Sequence, residues 1–163
     1  MSVPVGEREE AAAALARITA EERELVFSRF DRETGWALGM FLRDAALDRE
    51  LPIVVGVTLA GQRLFHAALP GATPDSDAWL DRKAAAVVHF QRSSLGVREQ
   101  FRSAGRDYAS DSRLDHALVA ANGGCFPITV AGLGVVGTVG VSGLPQVEDH
   151  ALVVEQLRAF LAD

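Results

Sequence analysis

Residues 132–150 read GLGVVGTVGVSGLPQVEDH, and the first six fit G-x-G-x-x-G, the glycine pattern of dinucleotide-binding loops. In such a loop a strand passes directly into a helix whose first amides hold the pyrophosphate. Here Gly137 is followed by TVGVSG, whose β-branched residues continue a strand. A helix has room to start only near Leu144-Pro145, where proline suits a first turn. The stretch therefore reads as a hairpin arm entering a C-terminal helix, and neither NAD nor FAD is expected. Gly134, Gly137, Gly140 and Gly143 recur at every third residue, so they do not share one strand face. Bulges, bends or close approach of another backbone or a ligand are the reasons a strand keeps glycine.

Working outward, GGCFPITVAGLGVVGTVGVSG (residues 123–143) has period-two spacing, with a turn at Gly132-Leu133 pairing Val130 with Val135 and Ile128 with Gly137. Pro127 cannot donate to a ladder and belongs at a strand start or on an edge. A second hairpin is read in PIVVGVTLAGQRLFHAAL (residues 52–69), with Gly61-Gln62 as its turn. That register pairs Leu59 with Leu64, Thr58 with Phe65 and Val57 with His66. Neither face of the hairpin is polar, so the sheet is expected to be covered on both sides.

The remaining segments read mainly as helices. REEAAAALARI is alanine-rich, and Thr19 with Glu22 fits a capping box. ELVFSRF suits a helix or a short strand. From Asp31 to about Arg49, Trp36, Leu38, Met40, Phe41, Leu42, Ala45 and Leu47 recur at mostly helical spacing. The loop PGATPDSD is expected to supply Asp75 or Ser76 as N-cap for a helix whose apolar arc holds Trp79, Leu80, Ala84, Ala86, Val87 and Phe90. Lys83 falls on that arc. A polar helical stretch follows to about Arg106, and DYASDSRLDHA reads as a surface connection. The last helix presents His150, Val153, Val154, Leu157 and Leu161 inward.

A chain of 163 residues with 48% hydrophobic residues can bury a core without staples. Its net charge of −6 argues against general nucleic-acid binding. Cys125 is the single cysteine, so no intrachain disulfide forms, which fits a reducing compartment. The N-terminal segment lacks the apolar run of a secretory signal, and nothing approaches a membrane span. The expectation is a cytoplasmic protein with no membrane or nucleic-acid partner, folded as one domain over residues 1–163 with residues 1–24 a peripheral helical segment.

The candidate site residues each have a structural alternative. His150 is read as an acid–base group, a haem-iron ligand or a core histidine; Asp149, its neighbour on a helix, cannot orient it directly. Asp149 also suits the positive end of its helix. Lys83, with Arg82, suits a carboxylate or propionate, or else snorkels or forms an intersubunit ion pair. His66 is a ligand candidate or a hydrogen-bonded strand residue. His89 and His116 read as surface residues. The spacing of histidines and cysteine gives no intrinsic metal site. Ser93-Ser94 lacks a nucleophile elbow, and Cys125 reads as a small hydrophobe.

LFHAALPGATPDSDAWLDRKAAAVVHFQRSS (residues 64–94), GGCFPI (123–128) and GVVGTVGVSGLPQVEDHALVVEQL (134–157) resemble the haem-degrading-domain family related to GlcG and HbpS, most closely its cytoplasmic, uncharacterised branch. The most specific pieces are D-x-W-x-x-R-K at Asp77–Lys83 and V-S-G-L-P-x-x-x-D-H at Val141–His150. The resemblance implies an α/β fold of α+β type: a five-stranded antiparallel sheet built from hairpins, helices on both faces, in a profilin-like three-layer arrangement. It also implies dimers and larger homo-oligomers, and haem as the cofactor bound or broken down by some relatives. Two positions depart from the family pattern: Ser76 replaces the usual asparagine, and Asn122 stands where histidine is expected. The resulting expectation is a haem-binding or haem-degrading-like protein in which Arg82 and Lys83 meet acidic groups, Trp79, Asn122 and Asp149 lie nearby, and His150 or His66 approaches the ligand. The alternatives are a non-catalytic oligomeric interaction module and an enzyme on a small metabolite with an intersubunit site.

Overall fold

The structure, a computed structural model, describes residues 3–163. Met1 and Ser2, the start of the segment read as lacking a secretory signal, lie outside the described residues. The elements in chain order are α1 (Val5–Glu24), α2 (Arg32–Asp48), β1 (Val54–Leu59), β2 (Gln62–Ala68), α3 (Pro74–Phe90), α4 (Ser94–Ser103), α5 (Tyr108–Asp111), β3 (Cys125–Val130), β4 (Gly134–Ser142) and α6 (Gln146–Ala162).

The opening stretch is β4, the turn before it and the start of α6. β4 lies inside an antiparallel sheet of order β2-β1-β4-β3. Its side chains alternate as a strand requires: Val139 and Val141 enter the main core with α2 and α6, while Thr138, Gly140 and Ser142 face α3. That core joins Leu38, Leu42 and Ala46 of α2 to Val55, Val57, Phe126 and Ile128 of the sheet and to Leu157 of α6. Each such side chain contributes roughly 1.5–3 kcal/mol by leaving water. On the opposite face Leu80 of α3 lies where a Cβ on Gly56 or Gly140 would stand, at 2.9 and 2.8 Å, so both strands carry glycine beneath that helix. Helices therefore cover both faces, as expected.

The sheet has four strands rather than five. The segment ELVFSRF contributes only a one-residue parallel bridge, Phe27 to Val130, in which the Phe27 amide donates to Thr129 O (2.8 Å) and the Ala131 amide donates to Phe27 O (2.9 Å). Phe30 stacks edge-on against Phe27, and Asp31 then caps α2, so the chain leaves the sheet after one contact. Pro127 sits on β3, an edge strand, as its missing donor requires.

Both hairpin turns differ from the expected register. In the β1–β2 hairpin Leu59 pairs with Gln62 and Val57 with Phe65, so the turn residues are Ala60 and Gly61, at φ +50° and +80°. Positive φ at both central residues is the type I′ requirement, which favours this pair over Gly61-Gln62. That turn alone moves each partner by two residues and keeps its face; a bulge between Val57 and Thr58 takes one residue back. The consequence is a change of face: Phe65 joins Val55 and Val57 in the core, and His66 lies opposite Gly56 on the α3 side. In the β3–β4 hairpin Ile128 does pair with Gly137, but a bulge places Val130 against Gly134 instead of Val135.

Three helix starts are also corrected. α1 runs through Thr19 without interruption, and Glu22 is engaged by Arg92 and Ser93 instead of capping. The capping box belongs to α2, where Asp31 accepts from the Thr34 amide at 2.9 Å. α3 is capped by Thr73, not Asp75 or Ser76, because Pro74 fits the first helical position and starts the helix earlier. Pro145 is the N-cap of α6. Within the segment read as a surface connection, Tyr108 is buried and donates to Val119 O at 3.0 Å. No described helix is long and apolar enough to cross a membrane.

Candidate functional site

The sequence places two features at the C-terminal end of β4: a serine facing α3 and a tight corner, Gly143-Leu144-Pro145, that turns the chain into α6. Lys83 approaches this corner from α3 and Asp149 from α6. Its Nζ donates to Asp149 Oδ2 at 3.0 Å, to Ser142 Oγ at 3.3 Å and to Val141 O at 3.4 Å. The side chains are 4% and 0% exposed, making this a buried ion pair. An ammonium has three donors, and each has an acceptor here. The other Asp149 oxygen accepts from the Leu144 amide at 3.1 Å, holding the corner closed. Burial pushes the Asp149 carboxyl above its ordinary value, against the opposing pull of the Lys83 ammonium and the Leu144 and Gly143 amides.

Gly124 explains how three elements come so close. Its φ is +132°, and a Cβ there would stand 2.6 Å from Val141 O and 2.9 Å from both Asp149 Cβ and Lys83 Nζ. Only glycine fits that backbone conformation and that space. The neighbouring Gly123 amide donates to Gln146 Oε1 at 3.0 Å, which ties the strand entry to the first turn of α6.

Above Lys83 lies a cleft of about 270 Å³, with Lys83 and Ser142 in its wall beside Asp75, Ser76, Trp79, Asn122 and Gln146. Ser142 accepts from Lys83, which leaves its hydroxyl proton as a donor toward a ligand. Gln146 spends its oxygen on Gly123, leaving its amide protons as donors. With the Asn122 amide and the Ser76 hydroxyl, the wall is rich in groups that donate to oxygen. Such a wall suits a carbonyl or carboxylate oxygen held clear of the Asp75 carboxylate, which also lines the cleft.

Of the residues singled out from sequence, Lys83, Asp149, Trp79 and Asn122 meet at this place, and Ser76, noted only as a departure, joins them. Arg82 stands next to it with its guanidinium 3.8 Å over the Trp79 ring, and is not in the cleft wall. Lys83 does not snorkel; it is buried, and its partner in this chain is Asp149. The two histidines go elsewhere. His150 turns to the opposite side of α6 from Asp149, 7% exposed, with Nε2 3.4 Å from Glu21 Oε1 and its ring against Phe126. His66 lies on β2 with Nε2 2.6 Å from Asp77 Oδ1, beside a narrow space of about 40 Å³. Cys125 is 1% exposed, and its thiol is pushed up to about 12 by burial. Among the described residues no group of three or more histidine, cysteine, aspartate or glutamate residues is placed to hold a metal ion.

Gln146 is not among the residues the sequence singles out, and Ser142 enters there only as part of the V-S-G-L-P run. Their signal was positional: both flank the glycine-proline corner, and one precedes Asp149 by a helical turn.

The comparisons with known proteins agree with this architecture. The profile of the family described as "Haem degrading protein HbpS-like" matches residues 30–158. A UPF0303 protein of Streptomyces coelicolor is 51% identical over 152 residues, covering 93% of this chain and 96% of its own. A UPF0303 protein of Burkholderia thailandensis is 48% identical over 147 residues, with 90% and 89% covered. Among solved structures, Ybr137w superposes with a TM-score of 0.83 at 24% identity, covering 99% of this chain and 98% of that one. HbpS gives 0.62 at 22% identity, covering 82% and 89%. A PduOC:heme complex gives 0.64 at 21% identity, covering 82% and 95%. The likeness to these structures is one of fold, while the profile match and the near-half identity to the UPF0303 proteins place the sequence: the chain belongs to the HbpS-like haem-degrading family.

Proposed function

We propose that this protein binds an acidic small molecule in the cleft lined by Lys83, beneath which Lys83 pairs with Asp149, as a haem-related binding protein or enzyme working as one unit over residues 1–163. The observation that carries the reading is the ion pair itself. A buried pair costs more to desolvate than well-packed apolar residues would, so its position at the base of a polar cleft points to use rather than to stability. The ligand's oxygens would meet the Ser142 hydroxyl and the amides of Gln146 and Asn122, with Lys83 polarising the serine from behind.

The same residues do not fit a whole haem within one chain. Small-molecule pockets run from roughly 300 to 1,000 Å³ and are mostly apolar, whereas this cleft holds about 270 Å³ and its wall is as polar as it is apolar. No histidine lines it, and His150 and His66 are engaged by Glu21 and Asp77. A carboxylate group such as a propionate suits the cleft; the macrocycle would need a second wall, which assembly of copies would supply.

Titrating the protein with pyruvate, a minimal keto acid, tests the cleft by calorimetry. Saturable binding that falls by about tenfold in Ser142→Ala and in Asn122→Leu supports it, each change being worth one charge-assisted hydrogen bond or a filled volume. Equal binding in wild type and both variants refutes it. Titration with hemin addresses the family's cofactor separately: a Soret shift lost in His66→Ala supports an iron held at the β2 surface, and no shift at all removes haem from the reading. Light scattering reports the assembly, whose mass should not depend on Lys83, since that side chain is satisfied within its own chain.

A further inference from the structure

We propose that a second cavity, on the far side of Asn122, binds the phosphate group of a small phosphorylated molecule through Arg98, Arg102 and Arg106. This cavity holds about 330 Å³, and Asn122 lines both it and the cleft. His116 packs edge-on against Tyr108 of this cavity and against Trp79 of the cleft, at ring distances of 6.2 and 6.3 Å, so the two spaces share a wall.

Arg98 and Arg102 stand one helical turn apart on α4, and Arg106 follows four residues later, just beyond the helix end. Like charges at this spacing destabilise a helix. They occur here in a chain of net charge −6, so they are not a sample of a generally basic surface. Their counter-charges are unequal. Arg102 is committed: its Nη1 donates to both Glu99 oxygens, at 3.0 and 2.8 Å, and Glu7 lies 4.0 Å from its Nη2. Arg106 stacks over Phe101, 4.8 Å from the ring centre, and donates to the Asp111 carbonyl at 3.3 Å, which positions its guanidinium without neutralising it. Arg98 forms no ion pair among the described residues. The Asp107 carboxylate is occupied in capping α5, accepting from the Ser110 amide at 3.1 Å and hydroxyl at 3.0 Å.

Three guanidinium groups thus line one cavity with two carboxylates, Glu7 on the side of Arg102 and Asp107 engaged in its cap, and Arg98 and Arg106 have no ion-pair partner among the described residues. A guanidinium fork matches a phosphate bidentately, and several forks from different directions favour a tetrahedral dianion over a planar carboxylate. The site does not depend on the Lys83 cleft being used.

Calorimetric titration of the intact protein with inorganic phosphate at constant ionic strength tests the assignment. Saturable binding is expected, weakened by about tenfold or more in Arg98→Met and in Arg106→Met, and partly retained in Arg98→Lys, which keeps charge but loses the fork. Circular dichroism confirms that each variant is folded; neither substitution touches the main core or the ion pair, and methionine at position 106 keeps apolar contact with Phe101. Ser142→Ala should leave phosphate affinity unchanged. Absence of saturable binding, affinity unchanged in both methionine variants, an equal loss in Ser142→Ala, or tighter binding of malonate than of phosphate overturns the proposal.

Discussion

Replacing Lys83 by methionine, which keeps length and removes charge, leaves the Asp149 carboxylate fully buried with its Leu144 amide bond but without its cation. Removing one partner of a buried pair costs about 3–5 kcal/mol. For a chain of 150–250 residues that converts, at roughly 2–4 °C per kcal/mol, to a fall in Tm of about 6–20 °C near neutral pH. The companion variant Lys83→Met/Asp149→Leu removes the unpaired charge as well, and should recover most of the loss, because apolar replacements of a buried pair are often neutral or stabilising. The pH dependence gives an independent check. Burial raises the Asp149 pKa above 3.8, so the native state holds this proton more tightly than the unfolded chain does. Stability from this group is therefore greatest below the unfolded value and declines as pH rises through the folded one. Removing the cation raises that pKa further, so the deficit of Lys83→Met should shrink as pH is lowered. The assay is urea denaturation of wild type and both variants from pH 4 to pH 8. A single-variant deficit below about 1 kcal/mol at pH 7, the range of an exposed pair, or a double variant no more stable than the single one, would refute the reasoning.

Other consequences are open to measurement. Gly124→Ala forces a side chain onto a φ of +132° and against Val141 O, so it should lower stability by about 1–3 kcal/mol and abolish any ligand binding at the cleft, read by thermal melts and the pyruvate titration. Ala60→Gly in the β1–β2 turn, where φ is +50°, should raise stability by about 0.5–1 kcal/mol by relieving strain at a type I′ position; a lower melting temperature would contradict the turn assignment. Cys125, buried and with its thiol held near 12, should react with iodoacetamide only as fast as the protein opens, so labelling of the native protein within the mixing time would be inconsistent with its burial.

Much of this architecture was legible from residue patterns. Period-two runs located both hairpins, and the β-branched residues after Gly137 excluded a dinucleotide loop. The register was harder, because the choice between Ala60-Gly61 and Gly61-Gln62 moves partners by two residues, and the one-residue bulge at Val57/Thr58, which turn chemistry does not signal, is what moves Phe65 into the core and His66 out of it. Lys83 was visible on the buried arc of its helix. Its partner was not, because Asp149 lies 66 residues away and meets it only through the Gly143-Pro145 corner. The fifth strand was an expectation of the family resemblance, which a single bridge at Phe27 does not meet. The arginines at positions 98, 102 and 106 were in plain view as a four-residue repeat, but that Glu99 pairs with Arg102 and that Asp107 caps α5 is nothing a spacing rule conveys.

The two margins of the sheet are unlike. Beyond β3 the Phe27 bridge already occupies part of the ladder, and Pro127 offers no amide to extend it. Beyond β2 no described strand is paired. Any added strand, whether from a second copy or from a misfolded neighbour, therefore has its unobstructed place along Gln62–Ala68, where Arg63 and His66 supply polar side chains that discourage indiscriminate pairing. The open edge of this sheet and the side chains that guard it thus belong to the same seven residues.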